Sequence, residues 1–200
     1  MLFKSQIIDI VRQLPWVEAR REQKSMRGII EQQRRLLTKE QIREQSDLVI
    51  SKLEQMSVFR DAKTVMVYYP VHHEVDLRPL MEKYRSEKTI LLPVTHRRSI
   101  EVRPYDGEDN TRKGRFGIPE PQTPTYRGRI DLIIVPGVVF DHHCHRIGRG
   151  GGYYDRFLRR HAGSTKIGIG YDFQLKRHSI PHTLFDQRVN MVITPGQTIG

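Results

Sequence analysis

The residues best suited to chemistry lie between Pro136 and Arg156. The run Pro136-Gly-Val-Val-Phe-Asp141 is followed by Arg146-Ile-Gly-Arg-Gly-Gly-Gly-Tyr-Tyr-Asp-Arg156. Gly148, Gly150, Gly151 and Gly152 stand between an apolar run and a helical pattern. Glycines there let the backbone take positive φ and bring N–H groups close to a ligand. A helix start adds orphan donors and the positive end of a dipole, so phosphate oxygens suit the place. Arg146 and Arg149 can add charge-assisted hydrogen bonds. Two familiar loops are excluded. A Walker A loop ends Gly-Lys-Ser/Thr, whereas this one runs Gly-Tyr-Tyr-Asp, and a dinucleotide fingerprint needs glycine where Tyr153 stands.

Arg146-Ile-Gly-x-Gly-x-Gly-Tyr-Tyr-Asp155, after Pro136-Gly-x-x-Phe-Asp141, resembles the signature of the 5-formyltetrahydrofolate cyclo-ligases, also called methenyltetrahydrofolate synthetases. The resemblance runs over roughly residues 20 to 195. It takes in Lys24-Ser-Met-Arg27, Glu74-Val75, Leu92-Pro93, Phe116-Gly-Ile-Pro-Glu-Pro121 and Asp186. It implies conversion of 5-formyltetrahydrofolate and ATP to 5,10-methenyltetrahydrofolate, ADP and phosphate, with magnesium. The formyl oxygen would take the γ-phosphoryl group, and the activated carbon would then be attacked by the folate's N10.

The resemblance also implies roles. Arg146 and Tyr153 would serve catalysis. Lys24, Arg27, Arg146, Ile147, Gly148, Arg149, Gly150, Gly151, Gly152, Tyr153 and Tyr154 would hold ATP. Tyr69, Glu74, Phe116, Arg149, Gly150, Gly151, Gly152 and Tyr153 would hold the folate, Glu74 taking the N–H pair of the pterin. Asp155 and Asp186 would hold magnesium, a hard cation suited to carboxylates and phosphates. Three positions depart from the family. Gln23 stands where it carries Lys, so that Lys24 would substitute; Cys144 stands for Gly; Phe116 stands where relatives carry Trp. Read from residue types alone, Tyr153 and Tyr154 suit ordinary core packing, and Asp155 suits the first turn of a helix.

His142-His143-Cys144-His145 has the composition of a metal cluster. Four consecutive residues do not converge on one tetrahedral ion, and no distant Cys/His pair has zinc-ligand spacing. An exposed polar loop is expected instead.

These residues need elements to carry them. Residues 1–16 read as an extension ending near Pro15, and 17–200 as a single domain. A charged helical pattern spans 17–37, with Arg20, Lys24 and Arg27 on one face. Thr38 reads as an N-cap with Gln41 completing a capping box. The helix that follows puts Ile42, Val49, Ile50, Leu53 and Met56 on one stripe. Strands are expected over 64–69, 89–92, 100–103, 132–135, 166–171 and 189–194, and helices from Asp76 to near Arg85 and over 154–160. A long irregular loop is expected over 105–128. Strands alternating with helices predict an α/β fold, an open and mostly parallel sheet with helices on both faces in a Rossmann-like three-layer arrangement.

The net charge of +11 asks for anionic partners. Its basic residues are interleaved with acids, and no zinc-finger spacing, RNP-like motif or basic zipper occurs, so small anions such as ATP and folate are favoured over nucleic acid. One cysteine excludes an intramolecular disulfide. No apolar run has the ~20 residues a membrane helix needs, and no secretory signal is recognisable. A cytoplasmic monomer is expected.

Overall fold

The structure, a computed structural model, describes residues 15–97 and 99–200. Most of the expected extension over 1–16 lies outside them.

Helix α1 (Pro15–Arg35) leads into α2 (Lys39–Gln55). The break between them is written locally. Thr38 Oγ1 accepts from the Gln41 N–H at 3.2 Å, and Gln41 Oε1 accepts from the Thr38 N–H at 2.9 Å. That is the expected capping box. Val49, Ile50 and Leu53 of α2 are buried, and Met56 falls just past its end. A short α3 (Ser57–Asp61) follows, then β1 (Thr64–Met66). Helix α4 (Arg78–Tyr84) starts two residues after Asp76, whose Oδ1 accepts the Arg78 N–H at 3.0 Å. Next come β2 (Thr89–Thr95) and β3 (Ile100–Pro104).

The expected irregular loop over 105–128 needs correction. It carries an antiparallel pair, β4 (Thr111–Lys113) with β5 (Pro119–Pro121). Its prolines, which read as breakers, sit on a two-stranded ribbon where a missing N–H is tolerated. Buried Glu120 ties the ribbon to the main sheet by accepting the Thr95 N–H at 2.9 Å.

The remaining elements are β6 (Leu132–Pro136), β7 (Val139–Asp141), β8 (Arg146–Ile147), α5 (Tyr153–Arg160), β9 (Thr165–Ile169), β10 (Leu175–Lys176), β11 (Met191–Ile193) and β12 (Thr198–Ile199). Seven strands form the main sheet in the order β12-β11-β9-β6-β1-β2-β3. The five inner strands are mutually parallel, and antiparallel β12 and β3 close the edges. Alternation along the strands divides the core. Val65, Ile90, Leu132, Ile134 and Ile193 pack with α2, α3 and α4, while Met66, Leu91, Ile133, Val135 and Val192 pack with Phe157 and Leu158 of α5. The fold is therefore the expected three-layer α/β sheet.

A small second sheet, β10-β7-β8, was not expected from sequence. Ile30 of α1 packs onto it beside Val138, Val139 and Ile147. Among the described residues, no helix is long and apolar enough to cross a membrane.

The order of the sheet places the site. From β1 the chain runs outward through β2 to β3, then returns to the other side of β1 as β6. Loops leaving the C-terminal ends of β1 and β6 therefore diverge, which opens the crevice where ligands bind in sheets of this kind.

Candidate active site

A cleft of about 1400 Å³ opens at that crevice, lined by residues of α1, the turns after β1 and β6, the ribbon, the glycine-rich loop and the segment before β11. Every site residue expected from sequence lines it: Lys24, Arg27, Tyr69, Glu74, Phe116, the run from Arg146 to Asp155, and Asp186. Its volume exceeds that of a typical one-ligand pocket.

One side is built by the glycine-rich loop. Buried Arg146 donates through Nη2 to Asp155 Oδ1 at 2.7 Å and through Nη1 to the Pro136 carbonyl at 3.4 Å. Its guanidinium carbon lies 5.8 Å from the Tyr154 ring centre. The backbone crosses so closely that a Cβ on Gly148 would fall 2.5 Å from Arg146 Nη1. Gly152, at φ 63°, caps α5 in the left-handed region, where a side chain would be strained. Arg27 reaches in from α1, donating from Nε to the Gly148 carbonyl at 2.7 Å. Burial draws the Arg27 guanidinium's pKa down, against the pull of Asp186 and Glu31.

Gln23, where the resemblance leads one to expect Lys, points inward. It donates to the Pro181 carbonyl at 3.0 Å and accepts from Arg27 Nη2 at 3.1 Å. Lys24 is exposed at the rim. One residue along a helix turns the side chain by about 100°, which separates the two.

The turn after β1 forms the opposite wall. His72 and His73 take φ of 50° and 58°, consecutive left-handed residues costing roughly 1–2 kcal/mol each. The turn they make brings Glu74 back into the cleft, buried at 6% exposure. Glu74 Oε1 accepts from Arg149 Nη2 at 2.9 Å and lies 3.7 Å from Arg34 Nη1, while Oε2 accepts the Val71 N–H at 3.2 Å. Tyr68 is buried beneath, its hydroxyl donating to the Val75 carbonyl at 3.0 Å. Tyr69 donates to Glu108 at 3.0 Å. Tyr153 donates to the Arg97 carbonyl at 3.1 Å, and exposed Phe116 meets its ring edge-on with centres 6.4 Å apart. The Tyr154 hydroxyl is buried with no hydrogen-bond partner among the described residues, and burial raises its pKa.

Asp155 also accepts the Gln187 N–H at 3.2 Å, and Asp186 accepts the Thr183 N–H at 2.7 Å. Among the described residues, no three His, Cys, Asp or Glu side chains gather as a metal cage. Two cleft carboxylates still fit magnesium, which takes one or two protein carboxylates and fills its octahedron from phosphate and water.

Arg34 was overlooked in the sequence, although it lies seven residues beyond Arg27 on the same face. A charged residue there reads as solvated surface.

The expectation of an exposed loop at residues 142–145 is corrected: Cys144 and His145 are buried. Asp141, fully buried, accepts the N–H groups of His143, His145 and Ile180 and faces His145 Nδ1 at 2.9 Å. The chain must fold over this acceptor, and Cys144 takes φ 62° to do so. Arg188 Nε donates to His145 Nε2 at 2.9 Å, and the His182 ring stacks on His145 at 3.7 Å. Burial lowers the His145 pKa below its ordinary 6.5 against the raising effect of Asp141, with His182 and Arg188 lowering it further. The unfolded chain then binds the proton more readily. Stability contributed by neutral His145 is present above about pH 6.5 and is lost as pH falls below it. Denaturant melts between pH 7.5 and 5.5 should show this decline and His145→Gln should flatten it; a parallel decline in the variant would contradict the assignment. The Asp141 carboxyl is held below its usual range, so its own loss comes at lower pH.

The sequence pattern of the 5-formyltetrahydrofolate cyclo-ligase family matches residues 19–195. The 5-formyltetrahydrofolate cyclo-ligase of Escherichia coli is 31% identical over 179 residues, covering 84% of this chain and 98% of that protein. A probable 5-formyltetrahydrofolate cyclo-ligase of Caenorhabditis elegans is 28% identical over 182 residues, covering 82% and 87%. Among solved structures, the 5,10-methenyltetrahydrofolate synthetase of Aquifex aeolicus superposes with a TM-score of 0.80 at 33% identity, over 88% of this chain and 91% of that one. A 5,10-methenyltetrahydrofolate synthetase from Mycoplasma pneumoniae shares the fold, with a TM-score of 0.70 at 22% identity over 87% and 99%. A match over nearly the whole length, on a chain that turns its signature residues into one cleft, makes this protein a member of the 5-formyltetrahydrofolate cyclo-ligase family.

Proposed function

We propose that this enzyme converts 5-formyltetrahydrofolate to 5,10-methenyltetrahydrofolate at the expense of ATP, in the cytoplasm and as a monomer. The observation that carries the reading is the joining, in one cleft, of a glycine-rich loop flanked by arginines and a buried carboxylate on the facing wall.

In this reading Arg27, Lys24 and the backbone from Ile147 to Gly152 bind the polyphosphate, with N–H groups at the start of α5 meeting its oxygens. Glu74 accepts the paired N–H donors of the pterin, a match for the two oxygens of a carboxylate. Tyr69, Phe116 and Tyr153 flank the folate, and Tyr154 packs behind. The formyl oxygen displaces ADP from the γ-phosphorus, which converts a poor leaving group into phosphate. The folate's remaining amine then bonds to the formyl carbon, the carbon–oxygen bond breaks to release phosphate, and that amine's proton passes to solvent. Arg146 stabilises charge on the transferring phosphoryl group, and Asp155 holds its fork in place. Asp155 and Asp186 would hold magnesium beside the phosphates, where the ion supplies neutralising charge. Most of the catalysis is thus positioning and electrostatic stabilisation.

The test follows the near-ultraviolet band of the methenyl product with purified protein, 5-formyltetrahydrofolate and ATP, with magnesium present or omitted. Product should need both ATP and magnesium, and Asp155→Asn should slow it roughly ten- to hundredfold. Folate binding without product would reduce the protein to a folate carrier, and absence of both would overturn the proposal.

A further inference from the structure

Arg34 is 3% exposed at the end of α1, an unusual place for a cation. A buried charge is costly unless paired, so its partners are informative. Its Nη2 donates to the Gly137 carbonyl at 2.5 Å, and its Nη1 lies 3.7 Å from Glu74 Oε1. One guanidinium thus spans the crevice floor from the turn after β6 to the turn after β1. Its backbone joins in, since the Arg34 carbonyl lies 2.9 Å from His73 Nδ1, in the left-handed turn that presents Glu74. Among the described residues, Arg34 Nε and the nearby Tyr171 hydroxyl are buried without hydrogen-bond partners.

Glu74 is paired with two arginines that differ in kind. Arg149 belongs to the glycine-rich loop and is 44% exposed, whereas the Arg34 side chain is 4% exposed. A ligand entering the cleft can displace Arg149 and take over its acceptor on Glu74. It cannot displace Arg34, which lies under the carboxylate and is pinned to Gly137. We propose that Arg34 is a positioning residue that holds the Glu74 carboxylate correctly turned for the pterin of the folate. This rests on the assignment of Glu74 above.

Calorimetry on the full chain tests it, with 5-formyltetrahydrofolate and, separately, a non-hydrolysable ATP analogue with magnesium, alongside thermal melts. The variants are Arg34→Met, Arg34→Lys, Glu74→Gln and the Arg34→Met/Glu74→Gln double. Arg34→Met should weaken folate binding roughly ten- to hundredfold, from loss of a charged contact to a buried group, and leave the analogue within about twofold. Arg34→Lys keeps the charge without the planar fork, so its folate-selective loss should be smaller, about three- to tenfold. In the Glu74→Gln background the Arg34 change should add less than about twofold, because its target is gone. Equal losses for both ligands, or additive losses in the double variant, would mark Arg34 as scaffold only and overturn the proposal. So would unchanged folate binding in a folded Arg34 variant. If Arg34→Met does not fold, Arg34→Lys is judged by the same selectivity. Unchanged folate binding in Glu74→Gln would instead sink the pterin assignment itself.

Discussion

Arg146→Ala should lower turnover by about a thousandfold or more while leaving the protein folded. Removing one preorganised donor at a site of developing charge costs roughly 10² to 10³ in rate, and an arginine serving a transferring phosphoryl group has been worth up to ~10⁵. Arg146 has the preorganisation such values need. It is 5% exposed, fastened to Asp155 at 2.7 Å and to the Pro136 carbonyl at 3.4 Å, and overlaid by the loop at Gly148. Its Nε is buried with no hydrogen-bond partner among the described residues. Arg146→Lys should recover only part of the loss, because an ammonium cannot meet Asp155 and a phosphate in one plane. Single-turnover kinetics separate the alternatives. A raised KM for ATP with turnover intact would mean that Arg146 binds ground-state phosphate and takes no special part in the transition state. The stability change should be modest, about 1–3 kcal/mol from loss of the Asp155 contact.

What the sequence disclosed, and what it hid, divides along physical lines. The run at 132–135 reads as a strand because a parallel strand covered on both faces is apolar at every position. Thr38 and Gln41 reveal a helix start because the capping box is local chemistry. The glycine-rich loop was legible for the same reason: four glycines beside arginines leave few other uses. The small sheet was not legible, since strands of two or three residues carry no periodicity, and β7, β8 and β10 exist only through one another. Cys144 and His145 were misjudged because polar composition suggests water, while fully buried Asp141 supplied the hydrogen bonds that let them turn inward. Arg34 was hidden by the same reasoning in reverse. A charge on a strongly charged helix gives no sign of burial, and its partners, the Gly137 carbonyl and Glu74, come from turns distant in sequence.

Phe140→Ala should be the most destabilising of the core truncations, by about 3–5 kcal/mol, the usual loss for a fully buried Phe. The side chain is completely buried between the small sheet and the main sheet. Its ring occupies room that three glycines leave open. A Cβ on Gly168 would come within 2.5 Å of Phe140 Cε1, one on Gly170 within 3.3 Å of Cε2, and one on Gly137 would overlap the ring tip. Glycines at these three positions carry no side chain to move into the space, which favours a large cavity term. Two consequences follow. The melting temperature should fall by roughly 6–20 °C at the 2–4 °C per kcal/mol of a chain this size. Gly168→Ala, which overpacks the native protein at a cost of about 1–3 kcal/mol, should be close to neutral once Phe140 is Ala, because the two changes share one volume. Denaturant midpoints of the four proteins in this cycle measure the coupling. Strictly additive losses would mean that the ring does not depend on the missing side chain at Gly168, and a Phe140→Ala loss below about 1 kcal/mol would mean that the floor repacks. A real cavity has a functional reach as well. The Gly137 carbonyl above the ring is the acceptor of both Arg34 and Gln174, and Pro136 that of Arg146. Loosening Phe140 should therefore slow the reaction even at temperatures where the protein remains folded.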